Sequence, residues 1–116
     1  MIWFTKQLSL AAITAYVTAQ SADDIANYPI IARMMDDWKA TWAPYEVVTE
    51  DGYHLKIFRI TGFTDTGSIE ITKPPLLAVH PLANNAEFWI NRLFHPTGSS
   101  SIIELAKDGY DVWLGN

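Results

Sequence analysis

With 116 residues, of which 49% are hydrophobic and 18% are charged, the chain is long enough for one folded domain and too apolar for a disordered one. Its formal net charge of −5 and its scattered lysines and arginines argue against a nucleic-acid partner, because phosphate binding requires clustered basic side chains. The absence of cysteine excludes a disulfide framework, a thiolate zinc site and a cysteine nucleophile.

The N-terminus carries a short apolar segment that predicts a signal peptide. Lys6 precedes the run from Leu8 to Val17, and small or branched residues follow up to Ala19, as signal peptidase requires. The run is about half of the roughly 20 apolar residues that a spanning helix needs, which argues against an uncleaved membrane anchor. The anchor and an ordinary amphipathic helix are the alternatives to a signal peptide. Cleavage after Ala19 divides the chain into a signal peptide, 1–19, and a mature region, 20–116.

An apolar stripe at helical spacing predicts a helix next. The stripe consists of Ile25, Tyr28, Ile31, Met34, Met35 and Trp38. Ser21 and Asp24 suit a helix N-terminus, and Pro29 indicates that the regular helix begins around Tyr28, because proline is tolerated in a first helical turn. Pro44 is expected to end the helical stretch. A stripe of this kind is more often core packing than a lipid contact.

Two β-rich segments, 45–49 and 53–61, flank Asp51-Gly52, which is a strong signal for the tight turn of an antiparallel hairpin. At the start of the second segment, three apolar residues, Tyr53, Leu55 and Ile57, alternate with polar ones, which predicts a strand with that apolar face buried. The alternation fails at Phe58. Either the strand is covered on its second face from there, or a β-bulge near Phe58 resets the register.

The last third of the chain has the pattern of a βαβ unit. Leu76 to Val79 form a continuous apolar run, which predicts a strand buried on both faces of a parallel sheet. Ser101 and Glu104 form a capping box for a helix that ends at Gly109, and Tyr110 to Leu114 are a second buried-strand candidate. The fold class is therefore α/β, an antiparallel hairpin followed by the start of a parallel sheet.

Three stretches, in this order and spacing, resemble the N-terminal region of the acid lipase family, which includes gastric and lysosomal acid lipases. They are YEVVTEDGYHLKIFRI (45–60), LLAVHPLANNAEFWI (76–90) and LAKDGYDVWLGN (105–116). The resemblance implies that 20–116 is a partial lipase region, the N-terminal part of an α/β-hydrolase fold without a cofactor. For the whole protein it implies hydrolysis of lipid esters such as triacylglycerols or sterol esters, transient contact with a lipid interface, and a secreted or lysosomal location.

The resemblance also assigns roles to the loop after the first parallel strand. In the family this strand ends in His and is followed by Gly and Leu, and the Leu backbone N–H faces the developing oxyanion. Leu82 stands at that position and by resemblance supplies the donor. Pro81 stands where the family has Gly; proline fixes φ and has no N–H, so the loop is expected to differ locally. His80 is interpreted as a loop-positioning residue, because the family's catalytic His lies near the C-terminus.

No G-x-S-x-G motif occurs, so the chain has no identifiable nucleophile, and the serines after Gly98 are interpreted as a helix N-cap. His54 and His95 have no carboxylate at a spacing that suggests a dyad or a metal site, so we expect no bound metal. The chain is interpreted as a lipase fragment that stops before the nucleophile elbow and is inactive alone. The alternative is a non-catalytic, lipase-like interaction or structural protein, to which Pro81 lends some support.

Strand order in α/β-hydrolases adds an expectation about stability. The strand resembling 110–114 lies there between the hairpin and the strand resembling 76–79, so 76–79 would form a sheet edge with two apolar faces. Because unprotected edges pair with other chains, we expect the isolated chain to be marginally stable and to self-associate.

Overall fold

The structure, a computed structural model, describes residues 17–19, 22–96 and 98–116. Most of the predicted signal peptide, 1–16, lies outside the described residues. Val17–Ala19 form a short strand, β1, antiparallel to the first long strand of the hairpin. Cleavage after Ala19 stays a prediction. Among the described residues, no helix has the length and apolar character needed to cross a bilayer.

The predicted helix is present and begins where its proline indicates. A short helix α1, Ala22–Ile25, precedes α2, Pro29–Asp37, and Pro29 occupies the first turn of α2. The chain leaves α2 through Lys39, whose φ of 55° lies in the left-handed region and breaks the helical path. The prediction that Pro44 ends the helical stretch is wrong, because Pro44 lies inside the following strand.

The hairpin is confirmed, with longer strands than the sequence indicates: β2 is Ala40–Val48 and β3 is His54–Phe63. Gly52 has the positive φ, 89°, that its turn requires. Thr49 N–H donates to the Tyr53 carbonyl, so hydrogen-bonded and non-hydrogen-bonded pairs alternate from there. Pro44, opposite Phe58, falls on a non-hydrogen-bonded pair, so its missing N–H removes no bond between β2 and β3.

The structure decides between the two explanations for the failed alternation at Phe58. Pairing is continuous past Phe58, and the register shifts only between Thr41 and Trp42, opposite Thr61. Phe58 is fully buried, so the strand is covered on its second face from there. The face predicted to be buried is largely exposed, however, since 67% of Tyr53 and 43% of Leu55 remain accessible and Ile57 is only half-buried. That prediction is wrong because the described helices pack on the opposite face.

The βαβ unit and the predicted strand order are confirmed. The remaining elements are β4 (Gly67–Ser68), β5 (Pro75–Ala78), a 3₁₀ helix (Ala86–Trp89), α3 (Ser101–Lys107) and β6 (Asp111–Gly115). β5 and β6 are parallel, and the strand order is β1-β2-β3-β6-β5, with β4 paired to the end of β3. β6 therefore lies between the hairpin and β5, and β5 forms the edge of the sheet.

The two ends of α3 differ in how well the sequence predicts them. Gly109, with φ 97°, occupies C′; its N–H donates to Ala106 and the Tyr110 N–H donates to Leu105, which are the bonds of a Schellman motif. The predicted capping box is wrong. The N-cap residue is Ser100, whose buried hydroxyl donates to the Trp89 carbonyl, 2.6 Å away, instead of capping the helix.

One face of the sheet packs against the helices and forms the core. The buried residues of this core are Ile31, Met34, Met35, Trp38, Ala40, Trp42, Phe58, Ile60, Phe63, Ala78, Ala86, Ile90, Ile102, Ile103, Ala106, Val112 and Leu114. The opposite face, here called the open face, presents half-buried or exposed apolar residues of neighbouring strands: Tyr45, Val47, Leu55, Ile57, Trp113 and Leu77.

Burial of β5 on both faces is a wrong prediction, since Ala78 is buried but Leu77 on the open face is 60% exposed. The open face has one polar feature near its centre. Arg59 Nε donates to Asp111 Oδ1, 2.7 Å away, and the guanidinium lies 5.0 Å from the Trp113 ring centroid.

Candidate active-site loop

The connection between β5 and α3 begins at the carboxyl end of a parallel strand, where ligands bind in open α/β sheets. Its first turn runs from Pro81 to Asn84, and the Asn84 N–H donates to the Pro81 carbonyl over 3.1 Å. Ala83 has φ 61°, a left-handed conformation that non-glycine residues seldom adopt. A strained residue beside the predicted oxyanion donor is the kind of feature that accumulates at functional loops.

Leu82 is the most exposed large apolar residue that the structure describes, with 97% of its surface accessible. Its backbone N–H forms no hydrogen bond within the described part of the chain. Pro81, immediately before it, has no N–H to offer. The loop therefore leaves the Leu82 N–H unpaired, at the position to which the family resemblance assigns the oxyanion donor; the next N–H, of Ala83, also has no partner among the described residues.

His80 lies at the start of the same turn and is half-buried. Its Nδ1 is 2.9 Å from the Pro81 carbonyl oxygen. Because a carbonyl only accepts, Nδ1 carries the proton of this bond and is not free to accept one from a nucleophile. This contact is compatible with a positioning role, and the assignment of His80 stays a prediction.

The far end of the loop is anchored by two asparagines. Asn85 Oδ1 accepts from the Glu87 N–H at 3.0 Å and caps the 3₁₀ helix. Asn116 Oδ1, beyond β6, accepts from the Ala86 N–H at 3.2 Å. The sequence offers no signal for Asn116, because this contact exists only once β6 lies beside β5.

The second half of the connection is held by the end of α2. Trp38 Nε1 donates to the Ile90 carbonyl at 2.6 Å in a buried environment. Arg92 donates to the Asp37 carbonyl at 2.5 Å, and its guanidinium lies 4.1 Å from the Trp38 ring centroid. These contacts join α2 to the segment that follows the 3₁₀ helix.

His54 has a carboxylate partner that its spacing in the sequence does not indicate. Its Nδ1 is 2.7 Å from Glu46 Oε1, and Lys56 forms an ion pair with the other oxygen. Hydrogen bonds from Lys56 and His54 lower the pKa of the Glu46 carboxyl below its ordinary value of 4.5, and the bond to Glu46 raises the pKa of Lys56 above 10.5. The sequence does not reveal this cluster, because the contacts of Glu46 depend on the register of the hairpin. It lies on β2 and β3, away from the loop after β5.

The other candidate sites offer less. His95 Nε2 is 3.3 Å from the Phe88 carbonyl, a structural contact of the kind expected for it. Among residues 17–19, 22–96 and 98–116, no group of three or more His, Asp or Glu side chains could hold a metal ion. A concavity lined by Phe63, Glu70 and Lys107, at the end of α3, does not include the loop after β5.

A mixed sheet with a βαβ unit and helices on its buried face defines an α/β protein. Comparison with known proteins identifies the family. The family described as "Partial alpha/beta-hydrolase lipase region" matches residues 31–93, which include the loop after β5. The chain belongs to this family, the acid lipases.

Several curated lipases are similar to the chain. The tear acid lipase-like protein of Mesocricetus auratus is 34% identical over 118 residues, which cover 100% of this chain and 29% of the relative. Gastric triacylglycerol lipase of Mus musculus is 42% identical over 87 residues, 74% of this chain and 21% of the relative. Lipase lipl-1 of Caenorhabditis elegans is 36% identical over 118 residues, 98% of this chain and 27% of the relative. The chain thus spans only 21–29% of the length of these relatives.

Proposed function

We propose that the chain is the N-terminal part of an α/β-hydrolase fold, and that the whole protein is a lipase for carboxylic esters of lipids, such as triacylglycerols or sterol esters. Family membership over 31–93 supports this proposal, together with the name of the gastric triacylglycerol lipase. The observation that carries it is the unpaired backbone N–H of Leu82 at the carboxyl end of β5.

In this proposal the Leu82 N–H stabilises negative charge. When a serine oxygen attacks the ester carbonyl, the carbonyl oxygen becomes an oxyanion in the tetrahedral intermediate. A donor already aimed at that oxygen lowers the barrier, because it interacts more strongly with the charged intermediate than with the neutral ester. The serine and the second donor would come from a nucleophile elbow that these 116 residues do not contain.

Pro81 is compatible with this role. It removes a possible N–H donor but leaves that of Leu82, and its carbonyl accepts the Asn84 N–H that closes the turn. The His80 imidazole donates to the same carbonyl. His80 and Pro81 are therefore proposed to position the loop, with Leu82 as the donor.

The test begins with the transcript beyond the Asn116 codon, which should encode a G-x-S-x-G. The encoded full-length protein should hydrolyse lipid esters and be inactivated by a serine-directed phosphonate, whereas the 116-residue chain alone should show no turnover. Leu82→Pro removes the backbone donor and should lower kcat by about 10²-fold or more, while Leu82→Ala keeps the N–H and most of the activity. A stop codon after Asn116, with no esterase activity, would favour the non-catalytic, lipase-like interaction protein.

We also propose that the protein enters the secretory pathway, for secretion or delivery to lysosomes. The apolar segment before Ala19 supports this, as do the names of the gastric and tear relatives. N-terminal sequencing of the protein from culture medium or lysosomes should begin at Gln20. A mature protein that still begins at Met1 and fractionates with membranes would contradict the proposal.

A further inference from the structure

The loop that carries the Leu82 N–H is held at its base by a side chain from a neighbouring strand. Ala86 is fully buried and begins the 3₁₀ helix that follows the loop. Its N–H donates to Asn116 Oδ1, 3.2 Å away. Asn116 lies just beyond β6, so this bond joins the loop after β5 to a different strand of the sheet.

The parallel register brings Asn116 to the loop. In the β5–β6 pair, Ala78 lies opposite Leu114. His80 and Asn116 each follow two residues later, so both leave the sheet at the same carboxyl edge. The Asn116 N–H donates to the Lys56 carbonyl, next to β6 on β3, at 3.2 Å. Asn116 is therefore fixed to the middle of the sheet by its backbone and reaches the loop with its side chain.

The Ala86 N–H needs this acceptor. It is one of the donors at the start of the 3₁₀ helix, and the capping residue Asn85 uses its side-chain oxygen for the Glu87 N–H instead. Because an unpaired buried N–H is costly, the path of the loop that brings Ala86 to Asn116 is favoured over other paths. Asn116 thus determines where the loop returns to the core.

The distance along the chain from this anchor to the proposed oxyanion donor is short. Three residues separate Leu82 from Ala86, and one of them, Ala83, has the left-handed φ of 61°. A strained residue of this kind persists only where the surrounding structure holds the turn on both sides. β5 holds one side, and the bond from Ala86 to Asn116 holds the other.

We propose that Asn116 is a positioning residue, which keeps the Leu82 N–H aimed at the carbonyl oxygen of the ester by holding Ala86. The inference rests on the proposed function, because it assumes the oxyanion role of Leu82. A donor for an oxyanion acts by being in place before the charge forms, and a displacement of about 1 Å can lower a rate about 10²-fold. The holding of the turn by Asn116 is a property of the chain alone and is measured without activity.

The first experiment measures amide exchange in the 116-residue chain by NMR. The reporter is the Asn84 N–H, which closes the turn by bonding the Pro81 carbonyl and makes no bond to Asn116. In Asn116→Ala its exchange should accelerate roughly five- to tenfold, the factor that corresponds to one hydrogen bond. Asn116→Asp keeps an acceptor oxygen in the same place and should exchange like the unmodified chain.

The matched control is Ser100→Ala. It also removes one side-chain hydrogen bond to the 3₁₀ helix, but at the opposite end, where the Ser100 hydroxyl donates to the Trp89 carbonyl. Exchange of the Asn84 N–H should not change in this variant. Urea midpoints of Asn116→Ala and Ser100→Ala show whether the two substitutions destabilise the fold to a similar extent.

The second experiment measures hydrolysis of a soluble short-chain ester by the full-length protein. Asn116→Ala should lower kcat roughly tenfold and leave KM unchanged, because the donor is displaced and not lost. Asn116→Asp should retain most of the kcat, and Ser100→Ala should behave like the unmodified enzyme. A loss of stability alone would lower kcat in Ser100→Ala as well.

Unchanged exchange of the Asn84 N–H in Asn116→Ala would overturn the proposal. Equal effects in Ser100→Ala, or a higher KM with kcat unchanged, would also overturn it. Accelerated exchange together with normal kcat in Asn116→Ala would refute the inference and leave the proposed function standing. A full-length protein that hydrolyses no ester would refute the proposed function itself, and with it the catalytic role of Asn116, while accelerated exchange would still show that Asn116 holds the turn.

Discussion

Replacing Trp38 by phenylalanine removes the buried hydrogen bond between α2 and the segment after the 3₁₀ helix. The Trp38 Nε1 donates to the Ile90 carbonyl at 2.6 Å. Without it the carbonyl has no partner, which costs about 1–3 kcal/mol. The smaller ring also leaves a cavity, which costs roughly 1 kcal/mol. We therefore expect Trp38→Phe to destabilise the fold by about 2–4 kcal/mol, a large part of the 5–15 kcal/mol typical of a whole domain.

Trp89→Phe is the matched control, because it also removes an indole N–H, but one that makes no hydrogen bond. The Trp89 Nε1 is buried and has no hydrogen-bond partner among the described residues. Its removal relieves a desolvation penalty of about 1–3 kcal/mol, which offsets the packing loss. Trp89→Phe should therefore be neutral or stabilising, at least about 2 kcal/mol more stable than Trp38→Phe. In a domain of this size the gap corresponds to a melting-temperature difference on the order of 10 °C.

The assay is urea unfolding followed by circular dichroism, at low protein concentration and with light scattering to exclude aggregates. Equal slopes of unfolding free energy against urea would show that both variants lose the same structure. Amide exchange at Asn91, whose N–H donates to the Glu87 carbonyl, should accelerate in Trp38→Phe alone. Equal destabilisation by the two substitutions would refute the reasoning, since it would mean that the Trp38 bond contributes nothing beyond packing.

Three further substitutions test other contacts. Glu46→Gln removes a carboxylate whose lowered pKa stabilises the fold above pH 4.5. That stabilisation is lost as the pH falls through the lowered pKa, so the urea midpoints of the variant and the unmodified chain should differ at pH 7 and converge in acid below it. Asn116→Ala leaves the Ala86 N–H without its acceptor and should cost about 1–3 kcal/mol, measured by urea unfolding. Leu77→Lys places a charge on β5, the edge strand of the sheet, and should reduce the self-association seen by sedimentation velocity. Its control is Leu55→Lys on β3, which should reduce self-association less, because the sheet edge and not the open face is expected to mediate the contact.

The sequence predicts best those features that local chemistry decides. Asp51-Gly52 requires the hairpin turn because glycine reaches positive φ without strain, and Gly109 ends α3 for the same reason. Pro29 marks the first turn of α2 because its missing N–H has no helical partner to lose. The position of β6 between the hairpin and β5 came from the family resemblance, since strand order leaves little trace in local pattern.

What the sequence does not reveal depends on neighbours that are distant along the chain. The alternation around Leu55 shows that the two faces of β3 differ, but not which face a helix covers. The Glu46–His54 contact depends on the hairpin register, and the Trp38–Ile90 bond joins residues 52 apart. At α3 the sequence offers several adjacent serines as side-chain caps, but the Ser100 hydroxyl bonds the Trp89 carbonyl instead, a partner that only the folded chain brings there.

The exposed apolar residues of the open face lie on one side of a mixed sheet, and α/β proteins cover both faces of such a sheet with helices. Under the proposal that the chain is the N-terminal part of an α/β-hydrolase fold, we therefore expect Leu55 and Leu77 to be buried by other parts of the protein.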